Sequence, residues 1–415
     1  MKNSFLKGMI LGMAATALLF FGTYFIMGEI FDKAGKGLYE SDEGTINLQA
    51  VVSSDEFVNK CKVLNNYINA YYINKKDIST DDICDGMYHG IIDSLGDKYA
   101  DYYNSEEYNS FMENAQGRYG GIGTYVSKNA ITGDIVIVNP FEGAPADKAG
   151  VKSGDILTAI DGESVVGLEL DDIVTMMKGE EGTSASLGIL RDGSTLTIEV
   201  VREMVDVPTV DYEVLEDGNI GYIYVSSFDS VTSDQFREAV DELEAKNVDG
   251  LIIDLRDNGG GLIDAVVDML DRILPKGLVM YTETNKGRDE EFYSTDEESY
   301  TKPYAVIING YSASASEVFA GAVQDYGFGT IVGTKSYGKG VVQSIFPLNG
   351  VNDGSAVKLT TAKYFTPNGR NIDGIGIEPD VVIEYDKNST VDGGKFKIDN
   401  QIQKAIDVIK EKTGK

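Results

Sequence analysis

Apolar positions change period along the chain. From Ser54 to about Met112, Phe57, Val63, Leu64, Tyr67 and Ile68 recur at helical spacing and predict a small helical region. Near Tyr119 the pattern shortens to β-type runs punctuated by glycine, "YGGIGTYV", "DIVIVNP", "SLGILRDG" and "LTIEVVR". One helix, "LELDDIVTMMKG", interrupts them and is expected to close at Gly179. From about Val205, apolar runs of strand length ("NIGYIYVSSF", "VDGLIIDLRDN", "PYAVIING", "TIVGTK") alternate with helical patterns ("SDQFREAVDELEAK", "LIDAVVDMLDRIL", "SEVFAGAVQDYG"). Near-continuous apolar strands between amphipathic helices predict a buried α/β sheet. "AVKLTTAKYFT" predicts a returning strand, and Asn400–Glu411 an amphipathic helix.

The N-terminus adds a different signal. Gly8 to Gly28 carries no charge and follows Lys2 and Lys7. A run of that length can span a bilayer as a helix. A secretory signal is the alternative, but Phe25, Ile26 and Met27 stand where a small-residue cleavage site would be. The expectation is an uncleaved single-pass anchor with its N-terminus in the cytoplasm and the rest of the chain outside. If the anchor is cleaved, the protein is secreted.

Length and composition then narrow the classes. At 415 residues the chain can hold two or three cores, and its 36 basic against 67 acidic residues give a net charge of −31. Such a surface repels phosphate backbones, so nucleic acid is not expected as a partner. Cys61 and Cys84 are the two cysteines, open to either a disulfide or a role as core thiols, and His89 is the one histidine. Three such ligands cannot supply a convincing zinc site, and no metal or cofactor is implied. His89 lies in "GMYHGIIDSL", a helix-like run where it reads as structural. A hydrolase on this chain must find another base.

The candidate chemistry begins at "GYSASASEVFAGAVQDYG", with Ser312, Ser314 and Ser316 at alternate positions before a helix. Ser314 to Glu317 fits a capping box, so a helix cap is the plain reading. However, "SASASEVFAGAVQDYG", "GTKSYGKGVVQ" and "KLTTAKYFTPNGRNIDGIGIEPDVVI" follow in that order behind a glycine-rich β region. Together they resemble the C-terminal processing peptidases, or tail-specific proteases, which join a PDZ domain to a Ser-Lys protease. The resemblance runs from about residue 54 to the C-terminus. It implies Ser314 as nucleophile, Lys339 as base and Gln343 as the residue that helps to hold the lysine. Asp325 also stands where the family often has an aspartate. Ser312 and Ser316 keep helix-start and packing roles.

The residues support that chemistry in their own right. A serine at a strand-to-helix turn sits where helix amides converge on developing negative charge. The amide of Ala315 is one expected oxyanion donor. A second is expected from the turn Asn258 to Gly261, at Gly259 or Gly260; the family's usual turn has proline where Gly259 stands. Bringing a lysine from about 10.4 to neutrality at pH 7 costs roughly 4.6 kcal/mol, which burial can supply. If "GVVQ" is extended, Gln343 lies about 13 Å along the strand from Lys339, so a turn at Gly340 is needed.

Residues 118–203 resemble a PDZ domain. "YGGIGTYV" matches its carboxylate loop, where amides of Gly120, Gly121, Ile122 and Gly123 are expected to hold a peptide C-terminus beside an added strand. The expected organisation is a multidomain α/β and β chain. It comprises an anchor or signal at 1–30, a spacer at 31–53 and an N-terminal helical region at 54–117. The PDZ domain at 118–203, a Ser-Lys protease core at 204–385 and a C-terminal helical tail at 386–415 follow. The expected function is membrane-anchored, extracytoplasmic endoproteolysis of proteins recognised by their free C-termini. A homodimer is expected through the helical parts. The alternative is a catalytically silent PDZ scaffold.

Overall fold

The computed structural model describes residues 46–215, 217–295, 299–351 and 353–414. The apolar run Gly8–Gly28 and the spacer up to residue 45 lie outside the described residues. Among the described residues, no helix is long and apolar enough to cross a membrane. They form two compact units that divide between Ile83 and Cys84.

The first unit is built on α1 (Asp55–Tyr71). Ser54 caps it by accepting the Phe57 amide, and Asp55 and Glu56 place negative charge in the first turn. Val63, Leu64, Tyr67, Ile68 and Tyr71 on this helix are exposed. Helix α2 (Thr80–Asp93) runs across the division. Both cysteines are free.

The second unit starts with a departure from the expected helical region at 54–117. Asp101–Tyr103 is a strand, β1, that leaves the helices and pairs antiparallel with the strand at Ala356–Phe365. A run of three residues is too short for periodicity to reveal. His89 stacks edge-on to Tyr102 and lies 3.4 Å from the Asp101 carboxylate and 3.6 Å from that of Glu107, consistent with a structural residue. Helix α3 (Ser105–Gln116) has a full capping box from Asn104 and Glu107 and ends at Gly117 in the left-handed conformation.

The β region follows. Strand β2 (Arg118–Gly121) pairs with β8 (Glu203–Asp206) as a two-stranded ribbon at the root of the domain. Between them, β3 (Thr124–Lys128), β4 (Ile135–Pro140), β5 (Ile156–Ile160), β6 (Ser184–Arg191) and β7 (Ser194–Val201) form an antiparallel sheet in that order. Helix α4 (Leu170–Met177) ends at Lys178, one residue short of the expected Gly179.

The third region carries the site. A six-stranded sheet runs in the order β9 (Val210–Leu215), β10 (Ile220–Val225), β11 (Leu251–Asp254), β14 (Tyr304–Ile308), β15 (Gly329–Gly333), β18 (Val381–Val382). All pairings except β9–β10 are parallel. Burial on both faces explains the unbroken apolar runs. Leu251 and Ile253 face the cluster under α5 (Thr232–Ala245), α6 (Ile263–Ile273) and α7 (Ala315–Tyr326), whereas Ile252 faces the other side. That other side is covered by α8 (Asn400–Thr413), through Ile402, Ala405, Ile406 and Ile409. Within the expected C-terminal helical tail at 386–415, α8 therefore forms a layer on that sheet.

A second, antiparallel sheet stands beside the first. It contains β1, β17 (Ala356–Phe365), β12 (Gly277–Thr284) and β13 (Gly287–Ser294), with β16 (Val341–Pro347) also paired to β17.

Helix α8 is tied to the sheet by a buried charge cluster. Arg256, just after β11, bonds Asp254 at 2.6 Å, Asp399 at 2.7 Å and Gln401 at 2.9 Å. Asp399 is also the N-cap of α8, accepting the amides of Gln401 and Ile402. Asp399→Ala removes a cap and one partner of a buried guanidinium. It is expected to lower stability by roughly 2–4 kcal/mol, read as a shift of the urea midpoint at unchanged slope.

Candidate active site

Two loops meet at the carboxyl ends of the neighbouring parallel strands β11 and β14, the usual place for chemistry in an open α/β sheet. The serines at 312 and 316 sew them together. Ser312 Oγ donates to the Leu255 carbonyl at 2.8 Å, and Ser316 Oγ to the Asn258 carbonyl at 2.9 Å. Both are fully buried, in line with their expected packing roles.

Ser314 between them is half-buried and stands at the N-cap of α7 with φ 56° and ψ −114°. A non-glycine residue there is strained by about 1–3 kcal/mol and persists only when its surroundings fix it. They do so at each end of the residue. The Ser314 amide donates to the Glu317 carboxylate at 2.9 Å, and its carbonyl accepts from the amides of Glu317 and Val318 and from the Tyr364 hydroxyl.

Glu317 was read as a cap; the structure gives it more to do. Its fully buried carboxylate also accepts from Ser336 Oγ at 2.5 Å, Gly338 N at 2.7 Å and Lys339 N at 2.8 Å. Burial pushes this carboxyl up, and the four donors oppose that shift. One carboxylate thus holds the backbone of the candidate nucleophile and of the candidate base. Tyr364 adds a second staple, donating to the carbonyls of Ser314 and Lys339.

Lys339 is half-buried. Burial holds its ammonium below the usual 10.5, Lys358 lowers it further and Glu317 opposes. Nζ lies 4.7 Å from the centre of the Tyr99 ring and has no hydrogen-bond or ion-pair partner among the described residues. It does not reach Ser314 in this state. Gln343 lines the same cleft, but its Nε2 donates to Thr360 Oγ1 at 3.2 Å and makes no bond to Lys339. Strand β16 has a register irregularity between Val342 and Gln343, close to where a bend was expected.

On the donor side, the amides of Ala315 and Gly259 have no hydrogen-bond partner among the described residues. That of Gly260 donates to Asn258 Oδ1 at 2.9 Å. Gly260 still sits against the candidate nucleophile: a Cβ there would lie 2.8 Å from the Ala313 carbonyl oxygen and 2.8 Å from Ser314 Cβ. The Asp325 side chain is buried and ion-paired to Arg370, pinning the far end of α7 away from these atoms.

These groups open into one cleft of about 680 Å³. Phe111, Met112, Leu262, Ile263, Val341 and Ile345 give it apolar walls, and Ser314, Ala315, Gly259 and Lys339 lie on its surface. The arrangement suits an extended peptide whose carbonyl meets Ser314.

The β domain holds the other expected site. Gly120 and Gly121 lie in the β2–β8 ladder, opposite Met204 and Glu203. A Cβ on Gly120 would lie 2.4 Å from the Gly179 carbonyl, which accounts for the glycine. The amides of Ile122 and Gly123 have no hydrogen-bond partner among the described residues. They precede β3, an edge strand with α4 packed beside it.

Comparison with known proteins identifies the families to which the chain is similar. The model of peptidase family S41 matches residues 219–383, and that of a PDZ domain matches residues 136–191. A carboxy-terminal-processing protease of Bartonella bacilliformis is 39% identical over 309 residues, covering 71% of this chain and 68% of that protein. A probable CtpA-like serine protease of Staphylococcus aureus (strain N315) is 34% identical over 334 residues, 80% of this chain. The chain spans 65% of the length of that staphylococcal relative. Among solved structures, the photosystem II D1 C-terminal processing protease is 28% identical, with a TM-score of 0.44, over 81% of this chain and 88% of that one.

Glu317→Ala would leave three buried amides and a hydroxyl without their acceptor. A stability loss of about 2–4 kcal/mol is expected. Hydrogen exchange should show the amides of Ser314, Gly338 and Lys339 losing at least about tenfold protection, while the central strands change only with global stability.

Proposed function

The chain belongs to peptidase family S41, and from that premise we propose that it is a serine endopeptidase that uses a Ser314–Lys339 dyad and selects substrates by their C-termini. The observation that carries the dyad is the convergence in one cleft of a strained Ser314, the free amides of Ala315 and Gly259, and a half-buried Lys339 with a lowered proton affinity.

The reaction follows from those groups. Ser314 Oγ attacks the scissile carbonyl while its proton passes to the neutral amine of Lys339. For this, Nζ must turn from the Tyr99 ring to Oγ, a tightening expected when substrate fills the cleft. The oxyanion is received by the amides of Ala315 and Gly259, which need no reorganisation. Lys339 then gives its proton to the leaving amine. A water hydrolyses the Ser314 ester, losing its proton to the same lysine. Gln343, two strand positions from Val341 on the cleft wall, orients substrate or lysine from there.

Tail recognition rests on the PDZ match and on the free amides of Ile122 and Gly123 beside an edge strand. A peptide adds antiparallel to β3, its carboxylate on those amides, and its upstream segment is presented at high local concentration. The uncharged run Gly8–Gly28 behind Lys2 and Lys7 supports a single-pass anchor with the catalytic part extracytoplasmic. The exposed apolar residues of α1 are a surface that a second copy of this chain would cover.

The test is cleavage of an unfolded polypeptide with an apolar tail. The full chain is expected to cut it; Ser314→Ala and Lys339→Met should each lose more than about a thousandfold in kcat/KM. Because Lys339 must be neutral, activity should rise with pH as that lysine loses its proton. Amidating the substrate tail should weaken binding. Retained tail binding with no cleavage would favour a silent scaffold, and equal cleavage by Ser314→Ala would remove Ser314 as nucleophile.

A further inference from the structure

We infer that Lys358 is a positioning residue for the base: its ammonium, fixed beside the Tyr103 and Phe111 rings on the wall of the same cleft, acts together with burial to favour the neutral form of Lys339 that takes the Ser314 proton. The inference rests on the dyad reading and gives a role to Lys358, the first residue of the third motif, to which the resemblance assigns none.

The placement comes from the second sheet. In the β16–β17 ladder, Ile345 lies opposite Lys358 and Gln343 opposite Thr360. Alternation along the strands puts these four side chains on one face. Ile345, Gln343 and Lys358 line the cleft together with Lys339. Lys358 is not free to wander there. Its Nζ donates to Tyr103 Oη at 2.5 Å and sits 5.0 Å from the Tyr103 ring and 6.0 Å from that of Phe111.

The charge arrangement is unusual for this chain. With 67 acidic against 36 basic residues, ion-pair partners are plentiful, and lysines such as Lys148, Lys178 and Lys410 have them. Among the described residues, neither Lys339 nor Lys358 has a carboxylate within 4 Å. Cation–π seating holds each in place of an ion pair. Such seating does not cancel the repulsion between two ammonium groups facing one cleft.

Of the other groups around Lys339, Glu317 and Asp97 oppose Lys358 and Lys98 acts with it. From the loop before β1 come Lys98, Tyr99 and Asp97; from α7, Glu317; from β17, Tyr364. Lys98 shares the Tyr99 ring, at 4.7 Å, and adds positive charge. Asp97 is turned to the Tyr99 amide and Thr360, and Glu317 is bonded to four donors. Lys358 and Lys98 both disfavour a proton on Lys339. A lysine beside another cation is a known route to an amine that is neutral near pH 7. The same field makes the protonated lysine a better acid toward the leaving amine, so one residue serves both proton transfers.

Two measurements on the full chain test this. The first is the acid limb of the kcat/KM pH profile in wild type, Lys358→Met and Lys358→Arg. The second is competitive acetylation of Lys339 by acetic anhydride as a function of pH, read by mass spectrometry in a Ser314→Ala background, which needs no proteolysis. Loss of the Lys358 charge should move both midpoints to higher pH by about one pH unit, and Lys358→Arg should leave them in place. An unmoved acetylation midpoint in Lys358→Met overturns the proposal. So does an equal shift in Lys358→Arg, which would mean packing and not charge. Lys358→Gln serves if Lys358→Met does not fold. If wild type cleaves nothing and the acetylation midpoint moves as expected, the protease reading fails while the coupling stands.

Discussion

The candidate site depends on one buried carboxylate. Glu317 sits in the first turn of α7, with no exposure, and gathers donors from both sides of the cleft: the Ser314 amide, the Ser336 hydroxyl, and the amides of Gly338 and Lys339. A charge taken out of water is tolerable only with bonds of this kind. In return it fixes two loops that have little else in common. Ser314 is held in a backbone conformation that a serine does not choose, and the segment carrying Lys339 is brought to the mouth of the same helix. Loss of that acceptor would release the strain at Ser314 and the placement of Lys339 together.

The electrostatics of the cleft run against those of the chain. A net charge of −31 would favour pairing every lysine, yet Lys98, Lys339 and Lys358 line the cleft without carboxylate partners among the described residues. Tyr99, Tyr103, Tyr337 and Phe111 seat them instead. At Lys339 the burial and the neighbouring charge are destabilising at neutral pH. A lysine whose folded affinity for protons lies below the usual 10.5 contributes its full stability only above that pH and loses it as the pH falls through the folded value. A protein that needs a neutral amine accepts this cost, as functional sites commonly do.

Much of this was legible in the sequence, and the remainder has identifiable reasons. Helix α7 and the fully buried strands β11 and β14 follow from periodicity and a capping pattern, whereas the serine and lysine of the candidate site came from the family resemblance carried by three ordered motifs. The hairpin β12–β13 was not, because "GRDEEFYS" is mostly exposed and lacks alternation. Strand β1 hid within a helical stretch because it takes its pairing from residues some 250 positions later. Glu317 was visible as a cap. Its further donors come from Ser336, Gly338 and Lys339, which no local pattern joins to it. Tyr99 and Lys358 were silent for the same reason: their roles exist only once β17 has brought distant segments to one wall. Position 259 shows the reverse case. The sequence offered Gly259 or Gly260 as donors, and geometry separates them, since Gly260 is bonded to Asn258 and Gly259 is not.

The connection between the two proposed sites has a physical form. The chain enters the PDZ domain after Gly117 and leaves it after Asp206, and the two crossings are bonded to each other by the Val207 amide and the Gly117 carbonyl at 2.8 Å. Gly117 is packed so tightly against Asp229 and Val231 that a Cβ would lie 2.8 Å from Val231. Ala115 and Ser230, bonded at 3.0 Å, continue that contact into the wall of the cleft. The root of the PDZ domain thus meets residues that line the cleft. A force or rotation at the β2–β8 ribbon would act first on α3 and the 228–230 loop, which line the same cleft as Ser314.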